Sequence, residues 1–89
     1  MEVYKDHSVY NGFYDGNKRS GPGILEYSNK STFMGEWKYG QRSGKGRFEQ
    51  GDKVTSGNWE YDRIKFASAV DLDELMKPLY DKKLPNNFE

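Results

Sequence analysis

Between Val9 and Asp15 the chain alternates two sets of side chains, with Tyr10, Gly12 and Tyr14 on one side and Val9, Asn11 and Phe13 on the other. A period of two predicts a β-strand. Residues 16–21 are rich in turn formers and predict a turn, after which Gly23, Leu25 and Tyr27 share one face of a returning strand. Residues 29–31 turn again. The same order then recurs, with a strand over 33–38, a turn over 40–44, a strand over 45–50 and a turn at Gly51 and Asp52. The offset of 23 that carries Tyr10 onto Phe33 also carries Gly12, Tyr14, Gly21 and Gly23 onto Gly35, Trp37, Gly44 and Gly46. An offset of 22 carries Gly35, Trp37 and Tyr39 onto Gly57, Trp59 and Tyr61, with Thr55 where the leading aromatic stood. Residues 1–4 align with 24–27, so the chain opens on the second strand of an incomplete hairpin. A repeat of this length predicts a stacked, quasi-one-dimensional fold.

The register divides residues 1–61 into a partial copy (1–9), two full copies (10–32 and 33–54) and a last partial copy (55–61). Glycine inside a strand ordinarily weakens it, because it costs backbone entropy and offers nothing to pack. Its registered recurrence implies that something uses the space. The expectation is that Gly12, Gly35 and Gly57 let rings from neighbouring strands lie flat across the backbone, tiling one face of a twisted antiparallel sheet.

After residue 61 the pattern changes. Residues 64–66 are a short extended run, and from Ser68 the spacing becomes helical, with Leu72, Leu75, Met76, Leu79 and Tyr80 on one apolar stripe. Ser68 with Asp71, or Asp71 with Glu74, has capping spacing. Pro78 lies inside the stripe, which predicts a short helix over 71–77 and a kinked or separate turn to about 83. Pro85 is expected to end it and leave 86–89 extended. Such a stripe is expected to cover the end or one face of the chain's own sheet, with docking into a partner as the other use of the same residues.

The motif Tyr10-x-Gly12-x-Tyr14 with Gly21-x-Gly23, and Phe33-x-Gly35-x-Trp37 with Gly44-x-Gly46, resembles the MORN (membrane occupation and recognition nexus) repeat. The resemblance covers residues 1 to about 61 and implies a mostly β fold, an elongated single-layer antiparallel sheet of β-hairpins, here with a short C-terminal α-helical cap. It implies a non-enzymatic protein-binding module, a scaffold or adaptor subunit of a cytoskeletal, ciliary or axonemal assembly, in the cytoplasm. The family name implies the alternative, peripheral binding to anionic phospholipid. Departures sit at the end of the array, where Thr55, Gln50 and Asp62 replace an aromatic, a tyrosine and a turn glycine.

Composition narrows the chemistry. At 89 residues the chain is one domain with no room for a large catalytic cavity. Its 14 bases balance 14 acids, so no whole-molecule field recruits nucleic acid or membrane. Cysteine is absent, which removes thiolate chemistry and fits a reducing compartment. The 16% aromatic content shows where the apolar surface comes from. The run from Gly40 to Gly46 has the wrong spacing for a phosphate-binding loop, and its glycines belong to the repeat. His7 is the single histidine and reads as a turn residue, and no cofactor or metal is implied. Asn29-Lys30-Ser31 reads as a turn and not as a glycosylation site.

Two candidate surfaces remain. Lys18, Arg19, Arg42, Lys45 and Arg47 fall at equivalent turns and are expected to line one long edge that meets an anionic partner. Residues 1–4 present an unpaired strand edge, where Val3, Tyr4, Val9 and Tyr10 are expected to contact another protein, either a second copy or another MORN-like chain.

Overall fold

A computed structural model of the protein describes residues 2–83. Seven strands form one sheet in chain order, every neighbouring pair antiparallel: β1 (Glu2–Val3), β2 (Val9–Asp15), β3 (Lys18–Glu26), β4 (Thr32–Lys38), β5 (Gln41–Gln50), β6 (Lys53–Glu60) and β7 (Arg63–Ala67). A helix, α1 (Leu72–Lys83), follows. The fold measures 41 × 31 × 27 Å.

The strands turn where two residues suffice. Tyr39 and Gly40 have φ of 53° and 81°, and Tyr61 and Asp62 have 54° and 68°, so both pairs of central residues are left-handed, the geometry that matches the twist of a hairpin. The turn expected over 40–44 is therefore tighter and earlier, and β5 resumes at Gln41. The residues assigned to the longer turn form a bulge instead. Gly12 faces Gly23 but Tyr14 faces Arg19, and Gly35 faces Gly46 but Trp37 faces Arg42, with Gly21 and Gly44 left-handed inside the extra segments.

On the opposite side of the sheet the connections repeat as well. Tyr4 and Tyr27 each bracket a loop in which their amides donate to the carbonyls of Ser8 and Ser31, at 2.8 Å in both cases. Asp6 and Asn29 accept from the Ser8 and Ser31 amides through side-chain oxygens. His7 and Lys30 take the left-handed position in these loops, as the turn readings of His7 and of Asn29–Ser31 expected. The third connection is the two-residue turn Gly51-Asp52, across which the register partners Phe48 and Thr55 are one residue closer in sequence than Leu25 and Phe33, which is why the period drops from 23 to 22.

The sheet runs on past residue 61. The extended run at 64–66 is the middle of β7, which pairs with β6 and turns the last partial copy into a complete hairpin. Beyond it, Asp71 caps α1, its carboxylate accepting from the Glu74 amide at 3.3 Å. The helix runs unbroken to Lys83 with Pro78 inside, contrary to the expected break. An interior proline costs about 3 kcal/mol. Met76 and Leu79, on either side of it, are both buried, which contributes roughly 3 to 6 kcal/mol and keeps the helix whole. The expectations for Pro85 and 86–89 lie outside the described residues.

The helix lies across β3, β4 and β5, not at the end of the array where the stacking stops. It therefore covers one face of the sheet. The other face carries the rings.

The aromatic face as candidate binding site

The core cluster is Tyr10, Leu25, Phe33, Trp37 and Trp59, with Tyr4, Tyr27 and Phe48 packed against it. Tyr10 and Phe33 each lean over the glycine two residues on in their own strand, where a Cβ would meet the Tyr10 hydroxyl oxygen at 2.4 Å at Gly12 and the Phe33 ring at 2.9 Å at Gly35, and each ring reaches on over that glycine's cross-strand partner. A Cβ at Gly23 would meet the Tyr10 hydroxyl oxygen at 2.2 Å, and one at Gly46 would meet Cζ of Phe33 at 2.2 Å. The expected source of the rings, neighbouring strands, is thus corrected, because positions i and i+2 share a face and a ring can lean back over its own backbone. Neighbouring strands supply the second layer of contact. Trp37 donates its indole N–H to the Gly23 carbonyl at 3.2 Å, and Trp59 donates to the Gly46 carbonyl at 3.1 Å. Rings meet edge to face rather than as flat tiles, Tyr10–Trp37 at 5.8 Å and Phe33–Trp59 at 5.2 Å between centroids. At Gly57 the three atoms nearest a Cβ are backbone atoms of Phe66, Ala67 and Ser68 rather than a ring.

Two arginines roof this layer. The guanidinium of Arg19 stands over Trp37 at 4.6 Å, Tyr4 at 5.7 Å and Tyr10 at 5.9 Å from the centroids. That of Arg42 stands over Trp59 at 5.0 Å, Phe48 at 5.4 Å and Phe33 at 5.8 Å. Each is a cation over electron-rich faces. Each also holds the next hairpin turn: Arg19 donates to the Gly40 carbonyl at 2.8 Å and Arg42 to the Asp62 carbonyl at 2.7 Å. The amides of Gly40 and Asp62 return bonds to the carbonyls of Arg19 and Arg42, both at 3.1 Å.

The expected basic edge is therefore dispersed. Arg19 and Arg42 are half-buried on the ring face, whereas Arg47, paired in register with Met34 and Ser56, points to the helix side beside Glu49 at 2.9 Å. Lys45 borders a groove against α1, and Lys18 opens β3 in register with Asp15. The structural role of Arg19 and Arg42 escaped sequence reading, although the offset that relates Tyr10 to Phe33 relates these two as well.

The other predicted contacts divide in two. Tyr10 is 0% exposed, and Met76 and Leu79 are buried against the sheet, so the fold itself uses these three. Val9, Leu72 and Leu75 are half-buried. Val3 is 60% exposed on β1, at one end of the strand order, and Tyr80 is exposed on α1. Tyr14 is also exposed, and its hydroxyl donates to Glu2, with Tyr4 at 3.1 Å.

Along the ring face runs a groove of about 540 Å³ lined by Tyr4, Lys5, Arg19, Tyr27, Arg42 and Asp62, with Leu25 and Trp37 at its floor. Burial pushes the Tyr27 phenol up from its ordinary pKa. The Ser8 amide holds the Asp6 carboxyl below the usual range, so that acid stays charged at the groove's rim. Among the described residues no helix is long and apolar enough to cross a membrane.

Registered hairpins, paired glycines and ring clasps define a β-hairpin repeat protein. A family model for the MORN repeat matches residues 10–32 and 33–53, the two full copies, and the chain belongs to that family. MORN repeats are binding modules for protein or membrane. Comparison with curated proteins returns no match.

Proposed function

We propose that the chain is a non-enzymatic adaptor that binds another protein along its ring face. The carrying observation is the division of the sheet: α1 occupies one face and leaves the groove of Tyr4, Arg19, Tyr27 and Arg42 open on the other. Polar atoms over aromatic area suit an extended peptide, which needs apolar contact and a few fixed hydrogen bonds. A cytoskeletal or ciliary setting belongs to this proposal through the family alone.

The test is to identify a partner by co-purification and map its footprint by amide hydrogen exchange. Protection of the 4–8 loop and of residues around Tyr27 is the expected result. Protection confined to α1 overturns the proposal. Salt-sensitive recruitment to acidic vesicles instead establishes the membrane reading. A second reading, strand addition by another copy, has one observation in its favour: the outer edge of β1 is unpaired among the described residues and α1 lies away from it. Slow exchange of the Val3 amide only in a concentrated or partner-bound sample would establish that reading.

A further inference from the structure

The two arginine clasps share their main contacts and differ in charge at the turn they hold. Arg19 and Arg42 sit at the same repeat position, each roofs a buried ring and a tryptophan, and each exchanges hydrogen bonds with the second residue of the next turn. At Arg42 that residue is Asp62, whose carboxylate accepts from the Arg42 amide at 2.8 Å and lies 3.4 Å from Nε. At Arg19 it is Gly40, which has no side chain. Arg19 consequently has no carboxylate within ion-pair distance among the described residues, and its Nε is buried without a hydrogen-bond acceptor.

A half-buried guanidinium with no counter-charge is unfavourable, and a carboxylate is the partner whose planar geometry suits it. The protein shows at Asp62 how this arrangement is completed. Both arginines line the same groove, so a ligand lying in it passes Arg19 on the way to Arg42. The groove's other charges are Lys5, Asp6 and Asp62. Asp62 already serves Arg42, and Asp6, still charged, accepts from the Ser8 amide and makes no ion pair with Arg19, so the three cations of the groove outnumber its two carboxylates.

We infer that Arg19 is a carboxylate-binding subsite, and that the partner segment is an extended peptide that places an Asp or Glu side chain on Arg19 with apolar neighbours against Tyr4, Tyr27 and Leu25. The inference rests on the proposed use of the ring face and adds the chemistry of what it recognises. A phosphate on a lipid headgroup is the competing anion. The carboxylate is preferred because the equivalent arginine, Arg42, already takes one, from Asp62 at 3.4 Å.

The experiment uses the full chain and a capped pentapeptide of alternating leucine and aspartate, with the leucine–asparagine peptide as its neutral counterpart. Binding is followed by NMR at the indole N–H of Trp37 and the side-chain N–H groups of Arg19. The aspartate peptide is expected to shift both signals and to bind roughly tenfold or more tighter than the neutral one, the effect of one charge-assisted contact. Two variants separate the subsite from general damage. Gly40→Asp installs the carboxylate that Asp62 provides in the next hairpin, at a φ of +81° that Asp and Asn both tolerate. Gly40→Asn makes the same backbone demand without the charge. Gly40→Asp is expected to bind the aspartate peptide about tenfold more weakly than Gly40→Asn, with both retaining dispersed native spectra.

Equal affinity for the charged and neutral peptides, with Trp37 shifting in both cases, overturns the carboxylate subsite while the ring face survives as a binding surface. Equal affinity of the two Gly40 variants overturns it as well. Shifts confined to α1, or none with either peptide, overturn both readings. Binding of phosphatidylserine vesicles that Arg19→Gln abolishes, with the aspartate peptide silent, replaces the protein ligand by a membrane.

Discussion

The hairpins β4–β5 and β6–β7 follow one another in the same sheet and the same register, yet only the first is closed by a ring. Phe33 is fully buried over Gly35 and Gly46. In the next hairpin Thr55 takes the place of Phe33: Gly35 and Gly57 both face partner backbone closely, but the third atom nearest a Cβ is the Phe33 ring at 2.9 Å in the first and the Ser68 amide nitrogen at 2.9 Å in the second. The chain then continues alongside β6 for one more pair, with Ser68 donating its amide to the Ser56 carbonyl and its carbonyl accepting from the Ser56 hydroxyl. The contrast shows what the ring is for. Tyr10 meets Trp37 and Phe33 meets Trp59, so each ring supports the tryptophan of the following hairpin. Among the described residues no hairpin follows β7, and a ring at position 55 would there have no tryptophan to support.

The sharpest way to break this comparison is to truncate the same position in both hairpins. Phe33→Ala deletes a side chain boxed by Trp37 and Trp59 and should cost about 3 to 5 kcal/mol. For a domain of this size that lowers the melting temperature by more than about 10 °C. Thr55→Ala should cost less than about 1 kcal/mol. Thermal denaturation followed by near-ultraviolet circular dichroism reads both, and equal losses would remove the distinction between the hairpins.

A second effect tests the ring of the earlier hairpin by titration. Burial pushes the Tyr10 phenol up to about 12 from its ordinary 10.0, partly offset by the charge of Arg19. The unfolded chain therefore releases this proton first. Stability should be unaffected below pH 10 and fall as pH rises toward 12, by roughly 2 to 3 kcal/mol from this group. Tyr10→Phe removes the hydroxyl that donates to the Phe13 carbonyl at 2.9 Å and should flatten this part of the curve. Urea denaturation at stepped pH gives the profile, and the same slope in the variant would assign the loss to other groups.

The third effect concerns glycine. Gly46→Ala places a methyl group against the Phe33 ring, which its tryptophan neighbours hold in place, and should cost about 1 to 3 kcal/mol. Gly51→Ala meets nothing within 4 Å and is penalised only by its φ of +58°, by about 1 kcal/mol. Equal melting temperatures for the two variants would mean that the clasp is not tightly packed.

Much of this architecture was legible because strand alternation and repeat offset are both periodic. Tyr10, Gly12 and Gly23 announce a shared face, and Phe33, Gly35 and Gly46 repeat it. What alternation does not specify is which strand a ring leans over, since its own i+2 residue and the cross-strand partner are neighbours on one face. Helix continuity through Pro78 was hidden for a different reason. Local propensity opposes it, and only the burial of Met76 and Leu79 on a distant sheet face reverses the balance. Arg19 and Arg42 read as solvated turn charges because charge suggests exposure, whereas the bulge at Gly21 and Gly44 moves each arginine back over the rings. The chance to see this lay in their common offset.

The smallest effect sharpens the comparison between clasps. Asp62→Asn keeps the left-handed turn and an oxygen able to accept from the Arg42 amide, so it removes only the charge of the contact with Arg42. The Asp62 side chain is 44% exposed, and solvent screens such a pair to about 0.2 to 1 kcal/mol. The loss should shrink as salt is raised toward about 1 M, where the Debye length falls to about 3 Å. Gly40→Asp should be the mirror image: a gain of similar size, offset by the strain of a side chain at a left-handed position, that fades over the same range of salt. The salt slope decides, because turn strain is insensitive to ionic strength. If Asp62→Asn and Gly40→Asp change stability with no opposite dependence on salt, Asp62 acts through its backbone and amide contact alone, and the charge difference between the two clasps has no energetic consequence in the free protein.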